Sequence, residues 1–206
     1  MAERAPHPSS GSPMPHDLED LYAGPPPWDI GRPQAAFRAL ADAGALRGRV
    51  LDVGCGTGEH ALMAAGLGLD ATGVDLAVTA LHTAERKAQE RGLEARFLHQ
   101  DALRLADLGE SFDTVLDCGL FHVFTGDDRD AFAGSLRSAV RPGGRYFMLG
   151  FSDRQPDGPG PHRLTREDIT GTFAAGWRAD SVEPATIEVT TSPAGVPAWL
   201  AAFTRI

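Results

Sequence analysis

Three glycines at alternate positions, Gly54, Gly56 and Gly58, follow the apolar run VLDV at residues 50–53. Glycine leaves no side chain between the backbone and a bound molecule, and a helix that begins at Glu59 would point its free amides at the same place. A loop of this kind at the carboxyl end of a strand predicts a ligand-binding turn. A tight strand-to-helix turn without a ligand also needs glycine, so the loop alone leaves that alternative open.

The spacing of these glycines separates two kinds of ligand. A dinucleotide-binding loop has the pattern G-x-G-x-x-G, whose third glycine makes room for a pyrophosphate. Here that position holds Glu59, whose carboxylate would repel phosphate, and Gly58 comes one residue early. The sequence after the loop also lacks the Gly-Lys-Ser/Thr of a P-loop. The loop is therefore predicted to bind a nucleoside that carries no phosphate.

Asp75 ends the next predicted strand, 21 residues after Gly54. A carboxylate at that place can accept hydrogen bonds from both hydroxyls of a ribose. Aspartate is also a preferred N-cap residue, so a cap on the helix that follows is the alternative role of Asp75.

These residues are positioned by alternating predicted strands and helices. The alternation is typical of an α/β fold with a mostly parallel sheet and helices on both faces. Two β-rich runs near the C-terminus have no helix between them, which predicts a hairpin and one antiparallel strand. Strands are predicted at 49–54, 71–75, 95–101, 112–119 and 145–151, and helices at 33–43, 59–68, 77–92, 128–144 and 165–176.

Composition limits the kinds of partner. The net charge of −9 argues against nucleic acid, which requires a basic surface. The sequence has neither an apolar run of membrane-spanning length nor an apolar N-terminal signal, so we expect a cytoplasmic protein without a membrane partner. Cys55 and Cys118 lie in no metal-binding pattern and are predicted to be reduced thiols, without a metal site.

The N-terminal region is predicted to differ from the domain at 35–206. Residues 1–16 are rich in proline and serine and are expected to form a disordered tail. Residues 17–34 contain three consecutive prolines followed by Trp28, in a segment without helical periodicity. That combination predicts an ordered flap that lies on the surface of the domain.

Five motifs together resemble those of class I S-adenosylmethionine-dependent methyltransferases, over residues 35–206. The resemblance implies a Rossmann-like, seven-stranded sheet and transfer of a methyl group from S-adenosylmethionine to a small-molecule acceptor, which leaves S-adenosylhomocysteine. The motifs are LDVGCGTG at 51–58, Asp75, QDA at 100–102, FDTVLDCGLFHVF at 112–124 and VRPGGRYFML at 140–149.

The flap carries a narrower resemblance. PPWDIGRPQ at 26–34 is similar to the N-terminal segment of small thiol, halide and thiopurine methyltransferases, in which an aromatic residue closes over the cofactor. The resemblance implies that Trp28 lies near the sulfonium, where a cation–π contact would stabilise it. It also favours a thiol or hydroxyl of a partly apolar compound as the acceptor. Trp28 also fits a hydrophobic plug at the sheet edge.

The family resemblance assigns cofactor roles to individual residues. Asp52 and the loop formed by Gly54, Cys55, Gly56 and Gly58 would hold the methionine portion. The ribose and adenine contacts, and the neighbour of the methyl group, would be Asp75, Leu76, Asp101, Ala102 and Cys118.

The acceptor side is predicted from residues near the same edge of the sheet. His122 follows the fourth strand and is the predicted general base for a hydroxyl acceptor, although packing on the cofactor or a backbone hydrogen bond fits it equally well. Tyr22 and Arg154 are predicted to contact the acceptor. Two alternatives stay open: a nicotinamide-dependent oxidoreductase and a nucleoside-binding regulator without catalysis.

Overall fold

Seven strands form one sheet in the computed structural model, which describes residues 15–156 and 160–206. The strand order is β3-β2-β1-β4-β5-β7-β6, and only β7 runs antiparallel to its neighbours. This confirms the predicted α/β, Rossmann-like sheet and its C-terminal hairpin. The strands are β1 (Arg49–Val53), β2 (Asp70–Asp75), β3 (Ala95–His99), β4 (Phe112–Cys118), β5 (Val140–Phe151), β6 (Trp177–Val189) and β7 (Ser192–Arg205).

Helices connect the strands, and two short 3-10 helices follow β3 and β4. They are α1 (Pro15–Asp20), α2 (Ala35–Asp42), α3 (Glu59–Gly66), α4 (Val78–Arg91), α5 (Asp127–Ala139) and α6 (Arg166–Thr172), with 3-10 segments at Ala102–Leu108 and Phe121–Val123. Within the described ranges, none of the helices combines the length and apolarity needed to cross a bilayer.

The helix before β5 is shorter than predicted. The sequence predicted a helix over residues 128–144, but α5 ends at Ala139 and β5 begins at Val140. Val140 pairs with Phe112, and pairing then resumes at Arg145, so residues 141–144 form a bulge. A bulge tolerates proline because its residues are not all required to donate to a neighbouring strand.

The N-terminal boundary also differs from the prediction. Helix α1 begins at Pro15, inside the range 1–16 expected to be a disordered tail, and residues 1–14 lie outside the described part of the chain. The Glu19 carboxylate accepts hydrogen bonds from the Val78 and Thr79 amides at 2.7 and 3.3 Å. Helix α1 therefore caps the positive end of α4, where Ala77 supplies no side-chain cap.

The core occupies both faces of the sheet, as the alternation along β5 shows. Tyr146 and Met148 belong to a cluster beneath α5 and α6, whereas Phe147 and Leu149 pack with residues of α2 and α3. The first cluster is rich in aromatic rings, and Phe121 of the second 3-10 helix stacks within it. This packing fixes the segment that follows β4.

The order of the strands places a crevice beyond β1 and β4. Strand β1 pairs with β2 on one side and with β4 on the other, so the chain reverses its direction of progress across the sheet at this point. In open α/β sheets, ligands bind at such a switch point, beyond the carboxyl ends of the strands. The glycine loop and the segment after β4 both lie at this edge.

Two glycines with positive φ test how closely the loop is packed. An alanine Cβ at Gly58 (φ +85°) would lie 2.7 Å from Cβ of Ala84 and 2.8 Å from the Phe97 ring, whereas nothing lies within 4 Å of the equivalent position at Gly68 (φ +77°). We expect Gly58→Ala to lower the free energy of unfolding by about 2–5 kcal/mol, against about 1–2 kcal/mol for Gly68→Ala. Urea unfolding of both variants measures the difference, and equal losses would contradict the packing argument.

Candidate cofactor and acceptor site

The Asp75 carboxylate joins the loops that follow β1 and β2. Its Oδ2 accepts from the Gly56 amide at 2.7 Å and its Oδ1 from the Ala77 amide at 2.9 Å. Burial raises the pKa of Asp75, and these amides oppose the rise. The N-cap of α4 is Ala77, so the alternative that Asp75 caps the helix is wrong. Each oxygen keeps a second lone pair, which allows further bonds to ribose hydroxyls.

Asp52 is buried with one oxygen unpaired. Its Oδ2 accepts from the Ala61 amide at 3.1 Å, but its Oδ1 has no hydrogen-bond partner among the described residues. Burial raises the pKa of Asp52 to about 7; the Ala61 bond opposes this, and the charges of Asp75 and Asp117 add to it. An unpaired acceptor that is buried is costly, so Oδ1 is available to a ligand that donates a hydrogen bond.

His60 lies beside Asp52 without pairing with it. Its Nε2 accepts from the Gln34 amide at 3.2 Å, and its Nδ1 is 3.9 Å from Oδ1 of Asp52, beyond hydrogen-bond distance. Burial lowers the pKa of His60 to about 4, so the ring is neutral. The unpaired oxygen therefore fits the ammonium of the methionine portion, a strong donor for which a carboxylate is the natural acceptor.

The predicted adenine contacts lie one strand further along the sheet edge. Asp101 follows β3, and its Oδ1 accepts from the Leu103 amide at 2.9 Å, which caps the first 3-10 helix. Ala102 is buried, and Leu76 is 40% exposed at the end of β2. These residues flank the open edge between β2 and β3, where the family resemblance places the adenine.

The two cysteines are reduced, with Cys55 buried in the loop and Cys118 half-buried at the end of β4. Burial raises the pKa of both thiols well above the ordinary value, so neither is a thiolate. Among the described residues, His, Cys, Asp and Glu form no group of three that could hold a metal ion.

Two aromatic residues of the flap lie near the glycine loop. A Cβ at Gly56 would be 2.8 Å from the Tyr22 hydroxyl, which shows how closely the flap approaches the loop. The Tyr22 and Trp28 rings pack edge to face, with their centroids 6.5 Å apart, and Trp28 is 45% exposed. Burial, followed by the charge of Asp75, raises the pKa of Tyr22. The tyrosine is therefore a protonated donor beside the cofactor loop.

His122 is buried, and its Nδ1 accepts from the Phe151 amide at 3.0 Å. The backbone bond that the sequence left as an alternative is therefore present. It occupies the Nδ1 lone pair and fixes the ring proton on Nε2. Burial, then the charges of Arg163 and His162, lowers the pKa of His122 to about 4.

Asp117 supports the 3-10 helix that carries His122. Its carboxylate accepts from the amides of Leu120 and Phe121 and from the Tyr146 hydroxyl, the last at 2.8 Å. Burial raises its pKa to about 6 against these hydrogen bonds. With both oxygens engaged, Asp117 positions the segment.

Arg154, predicted to contact the acceptor, lies on the C-terminal hairpin. Its guanidinium donates to the carbonyls of Ala185 and Ala198 at 3.3 and 3.2 Å and lies over the Trp199 ring. These contacts hold the start of the loop after β5 against β6 and β7.

Sequence reasoning missed two residues that hold the flap. Lys87 donates to Thr57 in the glycine loop at 2.7 Å, and the Thr57 hydroxyl donates to Asp29 of the flap at 2.9 Å. The three residues are separated by about 30 positions, and no local pattern signals such contacts.

Comparisons with known proteins agree with this geometry. Residues 50–144 match the family model described as "Methyltransferase domain". The 2-heptyl-1-hydroxyquinolin-4(1H)-one methyltransferase of Mycobacteroides abscessus is 34% identical over 172 residues, 82% of this chain and 76% of that protein. The Probable thiol methyltransferase 2 of Arabidopsis thaliana is 29% identical, over 69% of this chain and 64% of that protein.

A solved structure covers more of the chain. It comes from work on the conversion of a disulfide bond into a thioacetal group during echinomycin biosynthesis, and it is 40% identical, with a TM-score of 0.85 and 93% of each chain covered. Magnesium protoporphyrin IX methyltransferase from Synechocystis PCC 6803 with bound SAH shares the fold at 22% identity and a TM-score of 0.67, over 84% of this chain and 81% of that one. These findings leave the oxidoreductase alternative unsupported. The chain belongs to the class I S-adenosylmethionine-dependent methyltransferases, and S-adenosylmethionine is its cofactor.

Proposed function

We propose that this enzyme methylates the ionised hydroxyl or thiol of a small, partly apolar acceptor. The observation that carries the proposal is the hydrogen bond from the Phe151 amide to Nδ1 of His122. It leaves Nε2–H as the donor of the ring and no lone pair on the ring to remove a proton; Nε2 lies near Gly119, directly after β4, where a Cβ would be 3.6 Å from it. An acceptor that arrives as its anion needs such a donor rather than a base.

The electrostatics beside β4 support an anionic acceptor. The positive charge of Arg163 adds to burial in lowering the pKa of His122. A cation that acts on the ring in this way would also stabilise an oxyanion or thiolate bound beside it. Asp117 adds no competing base, because three donors already engage its oxygens.

Exposed apolar side chains support the partly apolar character of the acceptor. Five of the seven large hydrophobic side chains that are exposed in the described structure belong to the flap or to segments at the carboxyl edge of the sheet. A cluster of this kind at the mouth of a crevice is typical of a ligand site. The five are Leu21, Trp28, Leu76, Val78 and Val123.

The relatives suggest two acceptor chemistries. The name of the Mycobacteroides abscessus protein specifies a hydroxylated quinolone with a heptyl chain, and the work on echinomycin biosynthesis concerns sulfur. The resemblance of the flap to thiol methyltransferases favours sulfur, but the Arabidopsis thaliana protein is a more distant relative. We therefore propose an acidic hydroxyl or thiol, without choosing between them.

The roles of the chain follow from this proposal. S-adenosylmethionine supplies an electrophilic methyl group when bound. Asp52 and the glycine loop hold the methionine portion, Asp75 holds the ribose and Asp101 the adenine, while Tyr22 and Trp28 cover the site. His122 orients the acceptor anion through Nε2–H. The acceptor proton has gone to solvent before the transfer, so alignment and exclusion of water supply the rate enhancement.

Replacing Asp52 with Asn is expected to stabilise the free protein. The amide keeps an acceptor for Ala61 and removes a buried charge, which should raise the free energy of unfolding by on the order of 2 kcal/mol above pH 7. The pKa of Asp52 is about 7 in the fold against an ordinary 3.8, so ionisation destabilises the fold progressively as the pH rises between these values. The gain should therefore be smaller at about pH 5 than at about pH 8 in thermal unfolding.

The same substitution is expected to weaken cofactor binding. Loss of a charge-assisted hydrogen bond to the ammonium should raise the Kd for S-adenosylhomocysteine at least about tenfold at pH 8. Calorimetric titration measures this, and wild-type affinity should fall below about pH 7, as Asp52 protonates. A stabilised variant that binds as tightly as wild type would remove Asp52 from the methionine site.

The pH dependence of kcat/KM tests the acceptor proposal. With phenols and thiophenols that differ mainly in acidity, log kcat/KM should rise with pH up to the pKa of each acceptor and then level off, because the anion reacts. A base at His122 would instead give one break near pH 4, the pKa of His122, for every acceptor. Methyl transfer from labelled cofactor to this panel, with halides and an alkylated 1-hydroxyquinolin-4-one included, also identifies the acceptor class. Cofactor binding without any transfer would favour the non-catalytic regulator.

Two substitutions at His122 separate donor from base. Gln can accept from Phe151 and still donate, so His122→Gln should keep the rate within about tenfold, whereas His122→Leu, which removes the donor, should lose about a hundredfold. Cofactor affinity serves as the control and should not change in either variant. An equally large loss in both variants would support the sequence-based prediction that His122 is a general base.

A further inference from the structure

A cluster of charged and polar side chains joins the flap to the glycine loop and α4. We call it the latch cluster, and its members are Asp29, Thr57, Glu59, Lys87 and Arg91. The side chains of Lys87 and Asp29 are only 13% and 17% exposed. Burial to this degree strengthens charged hydrogen bonds that would be weak on an open surface.

Lys87 lies at the centre of the latch cluster. Its Nζ donates to Oγ1 of Thr57 at 2.7 Å and to Oε1 of Glu59 at 2.8 Å, and it lies 3.8 Å from Oδ1 of Asp29. The Thr57 hydroxyl in turn donates a hydrogen bond to Oδ2 of Asp29 at 2.9 Å. Lys87 therefore orients the hydroxyl through which the loop holds the flap.

Glu59 does not depend on Lys87 for its charge balance. Arg91 donates to both oxygens of Glu59 at 2.8 Å, in a bidentate pair. Burial raises the pKa of Glu59, but hydrogen bonds from Arg91 and Lys87 outweigh it and hold the pKa below the ordinary value. Lys87 and Arg91 both balance the charge of Glu59. The contact with Thr57 and Asp29 is the role of Lys87 that Arg91 does not share.

The latch cluster lies one residue away from two groups that face the cofactor. Thr57 is between Gly56 and Gly58, and Asp29 follows Trp28 directly. The flap is also attached to α4 through Glu19, to α3 through the bond from the Gln34 amide to His60, and to β6, where Gln34 exchanges two hydrogen bonds with the Glu188 backbone. The hydrogen bond from Thr57 to Asp29 in the latch cluster joins the flap directly to the glycine loop.

We propose that Lys87 is a positioning residue that holds the flap over the bound cofactor. It acts through Thr57 and Asp29, and it sets how tightly the cofactor is retained without touching the reacting atoms. The proposal rests on the placement of the flap over the cofactor in the proposed function, and it is independent of which acceptor is methylated.

The test is Lys87→Met, which keeps the length and apolar stem of the side chain. We expect the Kd for S-adenosylhomocysteine to rise about tenfold by calorimetry, from the loss of hydrogen bonds to charged groups. In the free protein, chymotrypsin should cut the flap at Leu21, Tyr22 or Trp28 several times faster. In turnover, KM for the cofactor should rise while kcat at saturation stays within about twofold.

Matched variants identify the route of the effect. Thr57→Val should reproduce the loss, and the double variant should be no worse than either single one, because both break the same connection. Arg86→Met, on the exposed side of α4, should bind and be cleaved like wild type. Lys87→Arg should recover part of the affinity.

Three results would overturn the proposal. Wild-type affinity and cleavage in Lys87→Met would remove Lys87 from flap positioning. An equal loss in Arg91→Met would assign the effect to the charge of Glu59 instead. Additive losses in the double variant would show that Lys87 and Thr57 act separately. If Lys87→Met does not fold, Thr57→Val and Lys87→Arg decide between these outcomes.

Discussion

The hydrogen bond between the Gly56 amide and the Asp75 carboxylate is the interaction on which the site depends. It joins the loops after β1 and β2, so the segments expected to contact the methionine and ribose portions move as one unit. The other carboxylate oxygen of Asp75 accepts a hydrogen bond from the Ala77 amide, which extends this unit to the start of α4. The flap caps the same end of α4 through Glu19. One partly buried carboxylate thus aligns three separate parts of the chain.

At this edge of the sheet, some buried polar groups have all their hydrogen-bond partners within the protein and others do not. Asp117 uses both oxygens on its neighbours, and its 3-10 helix is further fixed by the aromatic core beneath it. Asp52 keeps an unpaired oxygen at the cost of stability. A rigid segment at the proposed acceptor side and an unmet hydrogen bond at the proposed cofactor side fit a site that gains stability when the cofactor binds.

The sequence predicted the sheet, the antiparallel hairpin and the glycine loop because these have local signals: apolar alternation, turn residues and the spacing of glycines. The helix predicted to begin at Thr165 is present as α6, and Thr165 caps it in a capping box with Asp168. The protonation pattern of His122 could not be predicted, because its partner, Phe151, lies 29 residues away. The bulge at residues 141–144 was missed for a related reason, since it depends on the register with β4. Contacts between distant residues produce no periodic pattern within a single strand, so a local sequence window does not predict them.

The attachment of the flap to the C-terminal hairpin has a consequence for the order of assembly. Gln34 and Glu188 are separated by 154 positions, and the Pro27 carbonyl accepts from Thr190 across 163. A chain synthesised from its N-terminus exposes the flap before it completes the surface to which the flap is attached. The flap can therefore be fully attached only after β6 and the turn that follows it have left the ribosome, so a chain that stalls before β6 has the glycine loop but lacks part of the surface that holds the flap.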